Sequence, residues 1–490
     1  MPRESDDTIR KPLTGGRVAR VTSSLDAGDP PSALAQDDAR LRRPKMKLRT
    51  QVALALWIIV GMAAVVVFES LPSKASDYQD FRPYYIASLA LREGIDPYDR
   101  DFETVFIKAG RPLDKISAWE RTEPLLDTPA WLIFFEPFTL LRPAVAYWAW
   151  ITFNLLCLGA ALFVLIREYG PPGADGWTVA GLILLYPPIA LNFWFAQSEV
   201  VLLLIFALTL RELKRGHNGA AGAILAVAAL FRAYPLGMLG YLVARRNWRA
   251  TVYFLAACVI GSALAIAFAG PQPVVSFVRT ALPISGPHTR GVPAGLLSHP
   301  ANLNLGSFVQ LVLGDRGRGT AAAIGIELLM AGCAFAATGV MRDDRYGCGF
   351  ALWIVVITLL SPLAWPQFLV CIVPLYVGIA AANHEIALPR RVLNLAGASY
   401  VAALFMGGPL GFLSRGLARS ISGHVHASYF LPAEAAFVSL GCAYFAALWI
   451  TAFQNVTRTD AARTAVALPQ PATQETIPGV RARLELGRDL

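Results

Sequence analysis

The amino-acid sequence predicts an all-α polytopic membrane protein with about 12 transmembrane helices and short helices in its extracytoplasmic loops. Three observations carry that prediction. The 490 residues are 55% hydrophobic and only 16% charged, with a mean hydropathy of +0.48, too little charge to cover a soluble domain of this size. Apolar runs recur along the chain. Arg and Lys gather in alternate polar breaks between them, as positive-inside orientation requires.

Residues 1–45 are polar, rich in Asp, Arg, Ser, Pro and Gly, and show no apolar period, which predicts a disordered cytoplasmic segment. The basic run Arg40–Arg49 flanks the first apolar stretch, 51–69, and sets that side in the cytoplasm. This stretch begins too far into the chain, and lacks a small-residue cleavage site, for a cleaved leader, so it is read as a signal anchor. Further crossings are expected at 144–166, 178–193, 198–211, 219–232, 235–245, 251–269, 320–340, 348–361, 366–382, 391–407 and 432–453. The cytoplasmic connections between them, 167–168, 211–215, 244–249, 341–345 and 388–391, each carry Arg or Lys. The membrane body thus runs over 46–455, followed by a polar tail at 456–490.

The outer face is expected to carry loops 70–128, 270–319 and 408–431. In the first, Pro83–Arg92 reads as a helix with Pro in its first turn and Gly94 at its stop. The segment Pro129–Leu141 is too short to span and holds Glu136 and Pro137, so it is read as re-entrant or interfacial. Two unusually short crossings meet at Phe231–Pro235. Broken helices at membrane depth are tolerated where they line a protein-enclosed or watery cavity, which singles out Arg232 at their junction.

Composition also excludes some functions. The net charge of +9 is accounted for by orientation bias and anionic headgroups, so no nucleic-acid partner is expected. The six cysteines form no CxxC or Cys/His cluster, which leaves neither a disulfide framework nor a metal site. His424 and His426 have no accompanying carboxylate.

The candidate chemistry lies on the outer side. Asp77 and Asp80 emerge there just after the first crossing, and carboxylates so close to a bilayer are usually kept for function. A reaction on a lipid-phosphate-linked donor needs a base, a cation for the departing phosphate and aromatic surfaces for sugar and lipid. Asp80 offers the first, with Asp77 in reserve; Arg232 offers the second, with Tyr234 beside it. Tyr84, Tyr85, Trp194 and Trp365 offer the third. Asn192, Gln197, His299, Asn302, Asn304 and Gln367 are further candidates for substrate hydroxyls. Each has a plainer alternative: Asp80 would suit the N-terminus of the helix near Pro83, Arg232 could snorkel to headgroups, and the amides could bridge helices or form turns.

The run Asp80-Phe81 … Tyr84-Tyr85 … Gly94-Ile95-Asp96-Pro97-Tyr98 resembles the amino-terminal signature of glycosyltransferase family 87. Leu184–Leu204, Ala221–Ala250 and Ser361–Pro374 resemble later family segments in the same order. The resemblance implies a GT-C-like fold and inverting, metal-independent transfer of a hexose, mannose first among them, from a polyprenyl-phosphate donor to a glycolipid or polysaccharide acceptor. It implies no cofactor, Asp80 as general base, Arg232 on the donor phosphate, and a site outside the bacterial inner membrane. Many relatives follow the late Trp with a polar residue and paired histidines; Pro366-Gln367 stands here instead. A lipid-linked sugar flippase or transporter would also place polar residues in broken helices. One such hairpin without a matching second half, together with large outer loops, favours the enzyme.

Overall fold

The computed structural model describes residues 33–71, 80–98, 103–108, 125, 127–282, 302–306, 309, 316–361, 363–406 and 430–467. Asp77, His299, His424 and His426 lie outside them. The chain clusters as two units, and the fold is that of residues 52–490; the unit 1–51 contributes a helical stretch from Ala33.

Every described regular element is helical. In chain order they are α1 (Ala33–Ser70), α2 (Phe81–Arg92), α3 (Glu103–Lys108), α4 (Pro129–Phe135), a 3-10 turn (Glu136–Leu140), α5 (Pro143–Tyr169), α6 (Ala174–Leu184), α7 (Pro187–Phe195), α8 (Glu199–Lys214), α9 (Asn218–Phe231), a 3-10 turn (Tyr234–Met238) and α10 (Leu239–Ala244). There follow α11 (Trp248–Ala269), α12 (Pro271–Ser276) with a π turn (Phe277–Ala281), α13 (Arg316–Val340), α14 (Cys348–Leu360), a 3-10 turn (Pro366–Ile372), α15 (Val373–Ile386), α16 (Arg390–Leu404) and α17 (Phe430–Ala467).

All twelve expected crossings fall on helix. Among the described residues six helices are long and apolar enough to span: Leu48–Glu69, Pro143–Tyr169, Trp248–Ala269, Ala321–Val340, Pro366–Ile386 and Glu434–Phe453. The pair α6 and α7, bent by 47° at Leu185-Tyr186, makes a seventh. The other five, α8, α9, the hairpin arm Tyr234–Ala244, α14 and α16, have at most 16 residues. That length reaches about 24 Å, short of a hydrocarbon core about 30 Å thick. These shorter helices are mostly enclosed by protein; Phe350 to Val356 of α14, for example, are almost wholly buried. By contrast α11 exposes Val252, Leu255, Val259, Ile260, Leu264 and Phe268, an apolar face suited to lipid rather than water.

Three helices fix the two ends of the bundle. α5 and α9 each pack along α8, so the start of α5, the start of α8 and the end of α9 share one end. At the opposite end the Arg- and Lys-bearing connections converge. Arg215 Nη2 lies 2.7 Å from Glu168 Oε1, and Tyr169 donates from its hydroxyl to Leu210 O at 2.7 Å. Arg245 donates to Met341 O and, at 3.0 Å, to Arg342 O; Arg345 pairs with Glu385 at 2.8 Å. Gly347 abuts Leu210 and Tyr169, joining the two groups. Positive-inside orientation and packing therefore agree.

α9 and α11 pack closely along one another. Asn247 caps α11 by accepting from Ala250 N at 3.2 Å and donates to Asn218 Oδ1 at 2.8 Å, holding the two helix starts together. Gly222 faces the Ala250 carbonyl so closely that a Cβ would sit 2.1 Å from its oxygen, a small-residue crossing of the kind membrane helices favour. Gly222→Val should therefore force the helices apart and cost about 1–3 kcal/mol. Thermal unfolding in detergent would register this as a lowered midpoint; an unchanged midpoint would refute the contact.

Candidate active site

Asp80 directly precedes α2. It occupies the helix's N-cap position, yet its side chain makes no capping hydrogen bond. The carboxylate instead accepts from Gln197 Nε2. The simple capping role open to Asp80 from sequence is thus not the one it plays. Burial pushes its carboxyl up to about 6, against the opposing effects of the Gln197 hydrogen bond and the Arg232 charge.

Gln197 reaches Asp80 because of the backbone just before it. α7 ends with Ala196 in the left-handed conformation, φ 52°, and Gln197 N donates back to Asn192 O at 2.9 Å, closing a Schellman-type stop. Glycine usually takes that position, since an L-residue pays about 1–2 kcal/mol there. Trp150 Nε1 donates to Ala196 O at 2.8 Å and holds the turn. α8 restarts at Glu199, leaving Gln197 and Ser198 facing α2.

The Gln197 carbonyl oxygen accepts from the Tyr84 hydroxyl at 2.6 Å and from Arg232 Nη2 at 3.2 Å. Arg232 Nη2 also donates to Tyr84 OH at 2.6 Å and to Ser198 Oγ at 3.2 Å, and its guanidinium carbon lies 5.6 Å from the Tyr84 ring centroid, within cation–π range. Tyr84 is itself set in an aromatic cage, with Trp131 at 5.5 Å and Phe135 at 5.7 Å between centroids. Arg232 is the extended residue (φ −136°, ψ 142°) that ends α9 ahead of Pro235, where the hairpin turns.

Two acids not singled out by sequence complete the site. Asp127 Oδ1 lies 2.7 Å from Arg232 Nη1, an ion pair made off the angle of a hydrogen bond; burial raises the Asp127 carboxyl above its ordinary range while Arg232 opposes the rise. Its placement follows from Thr128, which caps α4 by accepting from Trp131 N and donates to the Leu230 and Phe231 carbonyls at the end of α9. Tyr98 OH donates to Asp127 O at 2.6 Å. Glu199, fully buried, brings Oε1 to 4.0 Å from Arg232 Nη2. An acid at the start of an expected apolar crossing, 198–211, was a readable signal for Glu199, and Thr128-Pro129 a readable helix start just after Asp127.

Of the residues proposed from sequence, the structure joins Asp80, Tyr84, Gln197 and Arg232 in one network. Asn192 lies one turn before Gln197, wholly buried, with both amide atoms unpartnered. Others face elsewhere. Tyr85 donates to Leu141 O at 2.9 Å. Tyr234 stacks on Phe368 at 5.3 Å, its hydroxyl 3.8 Å from Cys371 Sγ. Asn302 Oδ1 accepts from the Asn304 and Ala364 amides, and Asn304 Nδ2 donates to Ser361 O, so both fasten the outer loop to the stretch before Trp365. Trp365 and buried Gln367 begin the 3-10 turn Pro366–Ile372. Trp194 is partly exposed.

Residues 126–366 match the model of Glycosyltransferase family 87. The match spans 241 of the chain's 490 residues, so this stretch is similar to family 87 glycosyltransferases. The matched stretch contains Asp127, Asn192, Gln197, Glu199 and Arg232, while Asp80 and Tyr84 precede it and reach it through Gln197. No curated protein matches the chain. Among solved structures, ArnT from Cupriavidus metallidurans bound to undecaprenyl phosphate is similar at 18% identity and a TM-score of 0.37, over 85% of this chain and 81% of that one. The apo state of ArnT is similar at 18% identity and a TM-score of 0.35, over 86% and 82%.

The strained turn yields a direct test. Ala196→Gly should hold stability level or raise it by up to about 1 kcal/mol, whereas Ala196→Val should lose more than about 1 kcal/mol. Thermal melts of the two variants that fall in the reverse order would contradict the left-handed assignment.

Proposed function

We propose that the chain is a GT-C-type enzyme of the bacterial inner membrane that transfers a hexose from a polyprenyl-phosphate donor to a glycolipid or polysaccharide acceptor. The family resemblance favours mannose as the sugar. The observation that carries the reading is the linkage of the Asp80 carboxylate to the Arg232 guanidinium through Gln197 and Tyr84, at the end of the bundle away from the basic connections. Positive-inside orientation sets that end outside the cytoplasm.

In this reading Asp80 accepts the proton of an acceptor hydroxyl as its oxygen attacks the anomeric carbon. The bond from that carbon to the phosphate oxygen breaks on the opposite face, inverting the configuration, and the phosphate leaves with the bonding electrons. Arg232 meets the charge that develops on it with a planar fork suited to phosphate. Gln197 keeps acid and cation apart. A direct ion pair would hold Asp80 low and make it a weak base; an amide bridge orients the carboxylate without neutralising it. A base near pH 6 stays mostly ionised at neutral pH and still attracts a proton. Asn192, buried with its amide unpartnered, is suited to a substrate hydroxyl.

Transfer from a polyprenyl-phosphate hexose by purified protein in detergent tests this. Asp80→Asn should lower turnover by about 10²–10⁴-fold with the melting profile intact. Because the Asp80 carboxyl is raised to about 6 and must be ionised to act, wild-type kcat/KM should fall as pH drops through about 6. Full turnover in Asp80→Asn, or an acid limb near pH 4, would remove the base assignment.

A further inference from the structure

Glu199 is the group in this site whose surroundings fit an anion least. It is fully buried, and neither carboxylate oxygen receives a hydrogen bond from another residue; its own backbone N–H is the one donor close enough to favour the anion. Its nearest cation, Arg232 Nη2, is 4.0 Å away and already donates to Tyr84, Gln197 and Ser198, while Arg232 Nη1 is paired with Asp127 at 2.7 Å. The titratable and charged groups facing Glu199 are Asp80 and Tyr84 from the α2 end, Asp127 before α4, Arg232 and Tyr234 from the hairpin, and Cys371 from the 3-10 turn Pro366–Ile372. Cys371 Sγ donates to the Glu199 backbone carbonyl at 3.6 Å, not to its side chain.

Arg232 and Asp127 already sum to zero. With the Asp80 carboxylate already adding one negative charge nearby, an ionised Glu199 would be a further uncompensated anion in a water-poor interior, with no donor from another residue to solvate it, which costs several kcal/mol. An incoming phosphate at Arg232 would then meet two carboxylates on one guanidinium. A neutral carboxylic acid removes both conflicts and supplies an O–H where the structure otherwise leaves the side chain unpartnered. Burial of an acid in its neutral form so that it donates a hydrogen bond to an anionic centre is an established device.

We infer that Glu199 is held protonated and donates a hydrogen bond to the donor phosphate beside Arg232, so that the phosphate is bound by one cation and one neutral acid. The inference rests on the donor-phosphate reading of Arg232 given above. It predicts a pH dependence specific to position 199: raising pH ionises Glu199, removes the donor and places a negative charge against the phosphate. Glutamine keeps a neutral N–H donor of similar shape and cannot ionise.

The test is equilibrium binding of undecaprenyl phosphate to the purified full chain, from about pH 6 to about pH 9, for wild type, Glu199→Gln, Glu199→Ala and Arg232→Ala. Ionisation of the ligand itself is common to all four, so the difference between curves is the reading. Near pH 6, Glu199→Gln should bind within about threefold of wild type and Glu199→Ala about tenfold more weakly, the value of one charge-assisted hydrogen bond. Near pH 9, wild type should fall about tenfold or more below Glu199→Gln. Parallel curves for wild type and Glu199→Gln, with binding still dependent on Arg232, would overturn the role of Glu199 alone. Binding that Arg232→Ala leaves unchanged would overturn the phosphate reading and this inference with it.

Discussion

A guanidinium buried at the end of an apolar helix must be neutralised and solvated by protein, and the pairing of Arg232 organises everything around it. Its own helix supplies no partner. Asp127 provides the counter-charge at Nη1, and Tyr84, Gln197 and Ser198 accept hydrogen bonds from Nη2. They come from three separate parts of the chain, so holding one cation draws α2, the α7–α8 break and the stretch of chain before α4 to the hairpin apex. Removing any partner would leave a buried charge short of solvation, which costs more than the contact itself contributes. Thr128, bonded to the last carbonyls of α9, and the aromatic cage around Tyr84 fix the geometry from outside.

That economy has a chemical consequence. The same network that satisfies Arg232 extends through the Gln197 amide to Asp80, which therefore feels the cation at one remove. The carboxylate is oriented but not consumed in an ion pair, and burial lifts its affinity for a proton. Glu199 lies beside the same Arg232 Nη2, fully buried and without a hydrogen-bond donor from another residue. Three acids around one cation are thus differentiated by their contacts: one paired, one bridged through an amide, one left without a donor.

Much of this was legible in sequence because composition and charge placement act over whole segments. The apolar runs gave the helices, and the Arg-bearing connections gave their direction, since both follow from transfer to lipid and from orientation bias. Asp80 and Arg232 stood out as charges at segment ends. Less was legible where tertiary contact decides. Five expected crossings are helices too short to span, because an apolar run buried by neighbouring helices reads the same as one facing lipid. Nothing in the sequence separates Asp127 from the other acids of its loop; only the fold shows it against Arg232. Tyr84 and Tyr85 were indistinguishable as neighbours, yet a helix turns successive residues about 100° apart, so one meets the network and the other a backbone carbonyl. Asn302 read as a substrate residue, and its amide is spent on loop geometry instead.

The central claim is that Asp80 and Arg232 face one substrate from two sides at the extracytoplasmic end of the bundle. An experimental structure of the chain bound to a polyprenyl-phosphate hexose tests it most directly. The account predicts the phosphate within about 3 Å of the Arg232 guanidinium, the sugar between it and the Asp80 carboxylate, and the lipid tail lying along the membrane body. A phosphate held by the basic connections at the opposite end, or one bound out of reach of Arg232, would contradict it.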